Sequence, residues 1–448
     1  MTATHLNVGR NVAWSYISWI TSLGIPLILI PLYVRLLGHQ LYGEWLVIMS
    51  IASYLGLASF GSWQAVGNRI AEEVAQGRRH EIGRLMSTGF IAWSVIITAI
   101  VFSVFAATPM LIRRMMPAVD GKTLVAFYLF ITLSALGFPL RAHSVMLRAF
   151  ERVDIEQRIN TCSNICRIAA MAAVLLAGFK LIAVALIQGG AMVATGIASY
   201  VAAIRLEADA RPRASQWSAP LLASLVKPSI GFFGLTVAST LAFGVDNLVI
   251  GYVMGARAVT QYAVPFRLMT IVSGGFAVGI SALWPTITRF HASDRVGELR
   301  RGFVMLMRLA FVIGSAAGIG LWFLGPGFIR IWAGPAIFPG RATFGLQIGL
   351  MMIQMLLTPA DAVLMATTRH YGYAALAAVE GVLNLGLSLW WVRYWGMAGV
   401  IGATVAARLL TNGWYMPVAA LRTIGMNGGE FLRALVQIGN GVIANESV

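Results

Sequence analysis

Long apolar runs separated by short polar clusters make up almost the whole chain. Most are close to 20 residues long, which is what an α-helix needs to cross a hydrocarbon layer about 30 Å thick. Twelve such runs are predicted as membrane spans, over 12–34, 41–66, 86–107, 124–147, 165–179, 181–204, 230–254, 258–287, 303–324, 343–368, 374–392 and 398–421. The fifth is the shortest. The pattern predicts an all-α integral membrane protein with about 12 transmembrane helices.

The polar clusters divide the runs evenly. The longest connection, 206–229, contains Arg211, Pro212 and Arg213 with little apolar periodicity, and it separates six runs from six. The predicted organisation is an N-terminal six-helix lobe over 1–205, a cytoplasmic linker over 206–229, a C-terminal six-helix lobe over 230–421 and a cytoplasmic tail over 422–448. An internal repeat supports this division. At a constant offset of 217, Gly38 matches Gly255, while Ala75, Arg78, Glu81 and Arg84 match Ala292, Arg295, Glu298 and Arg301. Tyr42 matches Tyr262 after a three-residue insertion. Six spans is an even number, so the two halves have parallel topology, related by a pseudo-two-fold axis along the membrane normal.

Composition agrees with the pattern. Apolar types make up 58% of the 448 residues and charged types 11%, against about 25% charged in a soluble domain; the mean hydropathy is +0.78. The net charge of +16 would suggest nucleic acid in a soluble protein. Here no polar segment is long enough to form a nucleic-acid-binding domain, and the charge sets orientation instead. With the N-terminus inside, 22 of the 33 Lys and Arg residues fall on the inner loops and span ends and nine on the outer ones, with Arg267 and Arg408 within spans. Both termini are therefore expected to be cytoplasmic. The first apolar run is preceded by Arg10 and followed by no small-residue cleavage site, so it is expected to stay as a span. Cys162 and Cys166, at i, i+4, have no further metal ligands nearby and are expected to be small core residues.

Neither an HExxH nor a GxSxG motif, a Walker loop or a Cys–His cluster of metal spacing is present, so no enzyme, metal or cofactor is indicated. The informative residues are charges within spans. Arginine at mid-bilayer costs at least about 2.5–3.5 kcal/mol and usually faces a cavity or a partner. Arg267 lies inside the eighth span, twelve residues after Gly255, and Asp246 lies in the seventh, nine residues before it. Helical rise puts them at similar depth. They either pair with each other, or Arg267 binds an anionic substrate group beside Asp246. Arg408, expected to pair with Glu380, and His143, in the fourth span, are further candidates for the cavity wall. Arg141 follows Pro139 as Asp361 follows Pro359, and these two charges are expected to meet across the pseudo-two-fold axis as a cytoplasmic gate. Glu44 is expected to be solvated near the outer end of the second span. Gly275/Gly279, Gly314/Gly318 and Gly345/Gly349 are expected to be helix-packing contacts.

Two patches carry a family resemblance. Leu36–Gly43 after the first span, and Asp246 to Gly251 with Gly255, Tyr262 and Ala263, resemble the polysaccharide flippases of the multidrug/oligosaccharidyl-lipid/polysaccharide (MOP) exporter superfamily. Tyr262, Ala263, Arg267, Leu268, Met269, Ala282 and Pro285 further resemble the eighth span of bacterial lipid II flippases, where the matching Arg is thought to hold the diphosphate. The chain departs from lipid II flippases in having no Arg in the 12–34 span and no two extra spans. The resemblance implies a V-shaped pair of lobes that rock between inward- and outward-open states in the bacterial inner membrane. It implies a polyprenyl-diphosphate-linked oligosaccharide as cargo, with membrane lipids and polysaccharide-assembly proteins as partners and no nucleic acid. The alternative is a cation-coupled drug or metabolite antiporter of the same superfamily, which would prefer acidic cavity residues. A polymerase or ligase would carry a larger outer loop, and the major facilitator motif after the second span is lacking.

Overall fold

In a computed structural model the protein is a bundle of long helices. The structure describes residues 2–55, 62–78, 80–115, 119–281, 283, 287, 290, 293, 295–367 and 371–436. The helices are α1 (Thr2–Leu36), α2 (His39–Ser53), α3 (Ser62–Ala75), α4 (His80–Met115), α5 (Gly121–Arg141), α6 (His143–Ala149), α7 (Val153–Leu176) and α8 (Leu181–Leu206), followed by α9 (Ala219–Met254), α10 (Ala256–Ser281), α11 (Val296–Trp332), α12 (Arg341–Ala366), α13 (Tyr371–Leu410), α14 (Asn412–Thr423) and α15 (Gly428–Val436). Nine stretches among the described residues are long and apolar enough to cross a membrane.

The longest of those nine is a hairpin. Within α13 the backbone leaves helical geometry at Gly396 (φ 55°, ψ −134°). Thr404 Oγ1 then lies 3.0 Å from Asn384 Oδ1, twenty residues earlier, and Thr411 Oγ1 lies 3.0 Å from Glu380 Oε2. A straight helix would separate the first pair by about 30 Å. The reversal therefore makes two spans, the eleventh and twelfth. The α2–α3 pair and α9 occupy the second and seventh places, and the predicted twelve are accounted for.

Pro285, Arg369, His370 and Ile438 fall outside the described residues. The fifth span differs from its expected bounds. Helix α7 begins at Val153 rather than at residue 165, because the polar run that reads as a loop is neutralised by neighbours. Buried Asp154 pairs with Arg10 at 3.1 Å and Arg152 at 3.2 Å, and buried Glu156 with Arg148 at 2.7 Å. Cys162 and Cys166 are exposed on this helix rather than in the core. Glu44 is likewise not solvated: it is buried, accepting from Thr123 Oγ1 at 2.8 Å and Gln40 Nε2 at 3.1 Å.

The internal repeat is exact at its key turn. Gly38 and Gly255 have φ 84°, ψ 166° and φ 84°, ψ 168°, a region that only glycine enters without strain. Each turns the chain sharply from one helix into the next, α1 into α2 and α9 into α10. Partner helices repeat as well, with α1 packed on α7 and, in the other lobe, α9 on α13.

The connection between lobes is short and pinned. Two 3₁₀ turns, Ala208–Ala210 and Ala214–Gln216, lead to Ser218, which caps α9 by accepting from Leu221 N. Ser87 Oγ on α4 accepts from Arg213 N and donates to Gln216 Oε1, both at 3.0 Å, while Ser218 N donates to Thr88 Oγ1. Helix α9, the seventh span, thus begins against the N-terminal lobe and ends in the C-terminal one.

The core has a polarity. At the end of the bundle marked by Gly38 and Gly255, one apolar cluster runs without a break from Leu29, Tyr42 and Phe127 to Val259, Phe344 and Val400, joining both lobes. At the opposite end, that of the linker, it splits. Val66, Ile82, Met146 and Leu225 form one cluster in the N-terminal lobe, and Leu299, Phe303, Val363 and Met416 form another in the C-terminal lobe. The lobes are therefore joined at the glycine end and separate at the linker end, giving the expected V.

The join is a backbone contact. A side chain on Gly43 of α2 would collide with the carbonyl of Ala256 on α10. Around it Thr260 Oγ1 donates to the His39 carbonyl at 2.8 Å, Arg35 Nη2 to the Ile331 carbonyl at 2.9 Å, and Trp332 Nε1 to the Leu27 carbonyl at 2.9 Å. Of the expected small-residue contacts, Gly314 and Gly318 receive Met355, Ile348 and Met352, Gly345 receives Trp322, and Gly275 faces Trp19, whereas Gly279 and Gly349 face open space and are not packing contacts. We predict that Gly43→Leu pries the glycine end open. Spin labels at Gln40 and Arg257, in a background lacking Cys162 and Cys166, should move several ångströms apart relative to the parent. An unchanged distance distribution would count against the contact as the seal.

Candidate functional site

Just inside the seal lies a cavity of 410 Å³ between the lobes. Helix α1 supplies Ile25, Pro26, Leu29, Ile30 and Tyr33, and α2 supplies Tyr42, Trp45, Leu46 and Met49. Gln188 comes from α8, Asp246 and Asn247 from α9, and Tyr262, Ala263, Phe266, Arg267 and Thr270 from α10. The turns at Gly38 and Gly255 bring these faces together, because each reverses the chain within a few residues and lays Tyr42 and Tyr262 against the cavity from opposite lobes. Tyr33 stacks on Tyr42, with centroids 5.1 Å apart and planes at 11°, and Tyr262 stacks on Phe266 at 5.8 Å.

Asp246 and Arg267 both reach this cavity, yet they do not form an ion pair. Asp246 is 5% exposed. Its carboxylate accepts from Tyr262 Oη at 2.5 Å, from Thr404 Oγ1 at 3.2 Å and from Asn384 Nδ2 at 3.3 Å. A buried carboxylate needs its lone pairs filled, and donors from α10 and both arms of α13 fill these. Pro265 sits between Tyr262 and Arg267 and has no amide hydrogen to give the Gln261 carbonyl; Gln347 Nε2 donates to the neighbouring Tyr262 carbonyl at 3.0 Å. Asn247 Nδ2 crosses the lobes to Ser50 Oγ at 3.2 Å.

Arg267 is the exposed charge of the cavity wall. Among the described residues no carboxylate lies within ion-pair distance of it. A guanidinium presents five donors in a planar fork that matches phosphate and carboxylate. The arrangement can therefore hold an anion against a floor of tyrosines.

The other sequence candidates lie elsewhere. Arg408 is 7% exposed, bound to Glu380 Oε1 at 2.6 Å and to Gln354 Oε1 at 2.9 Å. Glu380 also accepts from Thr411 and Asn412, each at 3.0 Å. The expected Glu380–Arg408 pair is present, within the C-terminal lobe and off the cavity wall. His143 does not line the cavity. It is fully buried, with Nδ1 3.1 Å from the Leu140 carbonyl and the ring packed edge-on to Tyr200. Arg141 and Asp361 are not brought together: Arg141 lies near Glu156 and Arg148, and Asp361 near Arg408. Each belongs to one of the two lobes that separate at the linker end. Sequence reasoning missed that Arg167, counted with the inner loops and span ends, lies well inside α7, off the cavity wall, with Nη2 donating to Asn164 Oδ1 at 2.9 Å. Its signal was the helical spacing of the polar run before residue 165, which the ion pairs of Asp154 and Glu156 allow to be helix.

Two lobes joined at one end and split at the other, with a largely apolar cavity between them that one arginine enters, define the fold. The comparisons agree. A lipid II flippase, MurJ, in an inward closed conformation is 15% identical, with a TM-score of 0.70 over 95% of this chain and 90% of that one. A multidrug resistance MATE family transporter of the MOP superfamily, in an inward-facing conformation, is 15% identical, with a TM-score of 0.69 over 91% and 99%. A MOP superfamily transporter from Pyrococcus furiosus, described as having a binding pocket of reverse polarity, is 13% identical, with a TM-score of 0.57 over 94% and 95%. No curated protein sequence is similar to the chain. The chain belongs to the family described as polysaccharide biosynthesis protein, whose sequence model matches residues 8–291.

The geometry gives Arg408 a structural role that can be tested. Removing one partner of a buried ion pair costs about 3–5 kcal/mol, whereas neutralising both costs far less. We expect Arg408→Ala to reduce the yield of folded protein sharply, and Glu380→Gln with Arg408→Gln to recover most of it. Folded yield by fluorescence-detected size exclusion is the measurement.

Proposed function

We propose that this protein is a flippase. It moves a polyprenyl-diphosphate-linked oligosaccharide from the cytoplasmic to the outer leaflet of the bacterial inner membrane, for cell-surface polysaccharide biosynthesis. The observation that carries the proposal is Arg267, a guanidinium in an interlobe cavity with no carboxylate within ion-pair distance among the described residues, the cavity's Asp246 being occupied by Tyr262, Thr404 and Asn384. The physical problem fits. Phosphates and sugar hydroxyls cannot enter hydrocarbon without losing their hydration. A cavity between lobes gives them donors, while the polyprenyl tail stays in the bilayer. Family membership over residues 8–291 supports a role in polysaccharide biosynthesis. The excess of Lys and Arg on the linker side supports assigning that end, with both termini, to the cytoplasm. In this reading the structure represents the state that loads: sealed outside by Gly43 and Ala256, and open inside. The partners are the lipid-linked substrate, membrane lipids and other polysaccharide-assembly proteins; no cofactor is called for.

A drug antiporter of the same superfamily would need a cavity carboxylate available to a cation. Asp246 is instead occupied by Tyr262, Thr404 and Asn384, so the anionic cargo is favoured.

The experiment is complementation of cells lacking the gene. Wild-type protein should restore surface polymer and clear lipid-linked oligosaccharide from the cytoplasmic leaflet. Arg267→Ala should insert normally yet lower export by about 10-fold or more, in line with the loss of a charge-assisted phosphate contact. Full export by Arg267→Ala would remove the anion site from the mechanism, and unchanged polymer in the deletion strain would sink the flippase assignment.

A further inference from the structure

The guanidinium of Arg267 only donates hydrogen bonds. A sugar brings hydroxyl hydrogens as well as oxygens, so a cavity that carries one must also offer acceptors. Asp246 does not supply them, since Tyr262, Thr404 and Asn384 occupy its carboxylate. The side of the cavity formed by α1, α2 and α8 does. Tyr33 and Tyr42 line it and are 7% and 4% exposed, and neither hydroxyl has a hydrogen-bond partner among the described residues. Gln188 lines the same cavity, and its amide is likewise without one. Buried polar groups in a folded protein are normally paired, because an unpaired one carries its full desolvation cost. Two phenols held in place by stacking, with centroids 5.1 Å apart and planes at 11°, and left unpaired at a cavity wall, are groups suited to a polar ligand.

The internal repeat shows what sets them apart. Tyr42 corresponds to Tyr262, whose hydroxyl donates to Asp246 at 2.5 Å. At the repeat offset of 217 the counterpart of Asp246 is Leu29, which has no side-chain acceptor. The C-terminal lobe therefore satisfies its tyrosine within its own core, and the N-terminal lobe leaves its tyrosine to the cavity. Trp45 of α2 and Phe266, beside Arg267 on α10, give the same cavity aromatic surface, which suits the C–H face of a pyranose. At 410 Å³ the cavity is near the small end of ligand pockets, which span about 300–1,000 Å³. It takes the part of an oligosaccharide nearest the phosphate rather than all of it.

We infer that Tyr33, Tyr42 and Gln188 form a sugar subsite in the N-terminal lobe, which reads the hydroxyls of the uncharged pyranose joined to the phosphate at Arg267. This rests on the flippase reading above and names the part of the cargo that the cavity tells apart. Each phenol accepts from a sugar hydroxyl and can donate to a phosphate oxygen beside it, and the Gln188 amide offers both roles as well. A positively charged amino sugar finds the cavity's carboxylate already occupied, so the subsite discriminates against it.

The test uses the full-length protein in lipid nanodiscs, with calorimetry as the readout. The probes are farnesyl diphosphate, the same lipid glycosylated in turn with glucose, galactose, N-acetylglucosamine and N-acetylgalactosamine, and the matching sugar 1-phosphates. Wild type should bind the best glycosylated probe about 10-fold or more tighter than farnesyl diphosphate, the sum of two or three hydrogen bonds. Tyr33→Phe combined with Tyr42→Phe should remove most of that ratio and keep the unligated melting temperature, since no internal hydrogen bond is lost. Gln188→Leu should lower the ratio independently. A ratio near one in wild type, or a ratio unchanged in both variants, overturns the inference; if farnesyl diphosphate still binds wild type and not Arg267→Gln, the flippase reading stands. An equal loss on bare and glycosylated lipid in the Phe variant assigns the phenols to the phosphate alone and also overturns it. A sugar 1-phosphate bound as tightly as the glycosylated lipid marks a soluble sugar-phosphate site and overturns the lipid-linked cargo. Failure of wild type to bind any of the lipid diphosphates takes down both readings.

Discussion

A charge inside a low-dielectric bundle must find a partner, and the structure is arranged by which charges do. The buried carboxylates Glu44, Glu73, Asp154, Glu156, Asp246 and Glu380 all have donors. Several of those donors come from different helices. Asp246 ties α9, α10 and both arms of α13 together; Glu380 ties α13 to α12 through Arg408 and Gln354. Acidic residues thus serve as fixed points within each lobe. Arg267 differs, since it lies exposed on the wall of the cavity between the lobes. The other charge on that wall, Asp246, is occupied by its own donors, and this leaves the guanidinium to give the cavity its sign.

The apolar core supports the same division. Hydrophobic burial is non-directional and strengthens with area, so a continuous cluster resists separation more than two small ones. Here the continuous cluster lies at the glycine end and the split ones at the linker end. Movement about such a frame has to break backbone-close contacts at one end while bringing separate surfaces together at the other. The contact between Gly43 and Ala256 suits a reversible seal. It is close because no side chain intervenes, and it buries little apolar surface of its own. The linker, pinned to α4 through Ser87 and Thr88, keeps the start of α9 with the N-terminal lobe. That helix then becomes a lever spanning both halves.

The fold was legible where the sequence carried long-range regularity. Twelve apolar runs, the six-and-six division and the Gly38/Gly255 correspondence all rest on period or spacing, and the nearly identical backbone angles at the two glycines show why the spacing is kept. The sequence was harder to read wherever a polar residue had a distant partner. Asp154 and Glu156 hid the start of α7, because their ion pairs with Arg10, Arg152 and Arg148 are invisible to hydropathy. Glu44 was placed in water for the same reason, as its partner Thr123 lies 79 residues away. His143 shows the converse error. A polar residue in a span was assigned to a cavity, whereas aromatic packing against Tyr200 and a backbone carbonyl hold it within one lobe.

The site was half legible for a reason that bears on how such cavities arise. Arg267 stood out because it interrupts an otherwise apolar span, which is a one-dimensional signal. Arg167 sits within a polar run and carries no such contrast; only the fold shows that the run is helical. A lone intramembrane arginine is best compensated by an anion, and a diphosphate brings more negative charge than one guanidinium can match. With no arginine in α1 between residues 12 and 34, the charge that Arg267 does not match is left to the neutral donors of the cavity wall, Tyr33, Tyr42, Gln188 and Asn247.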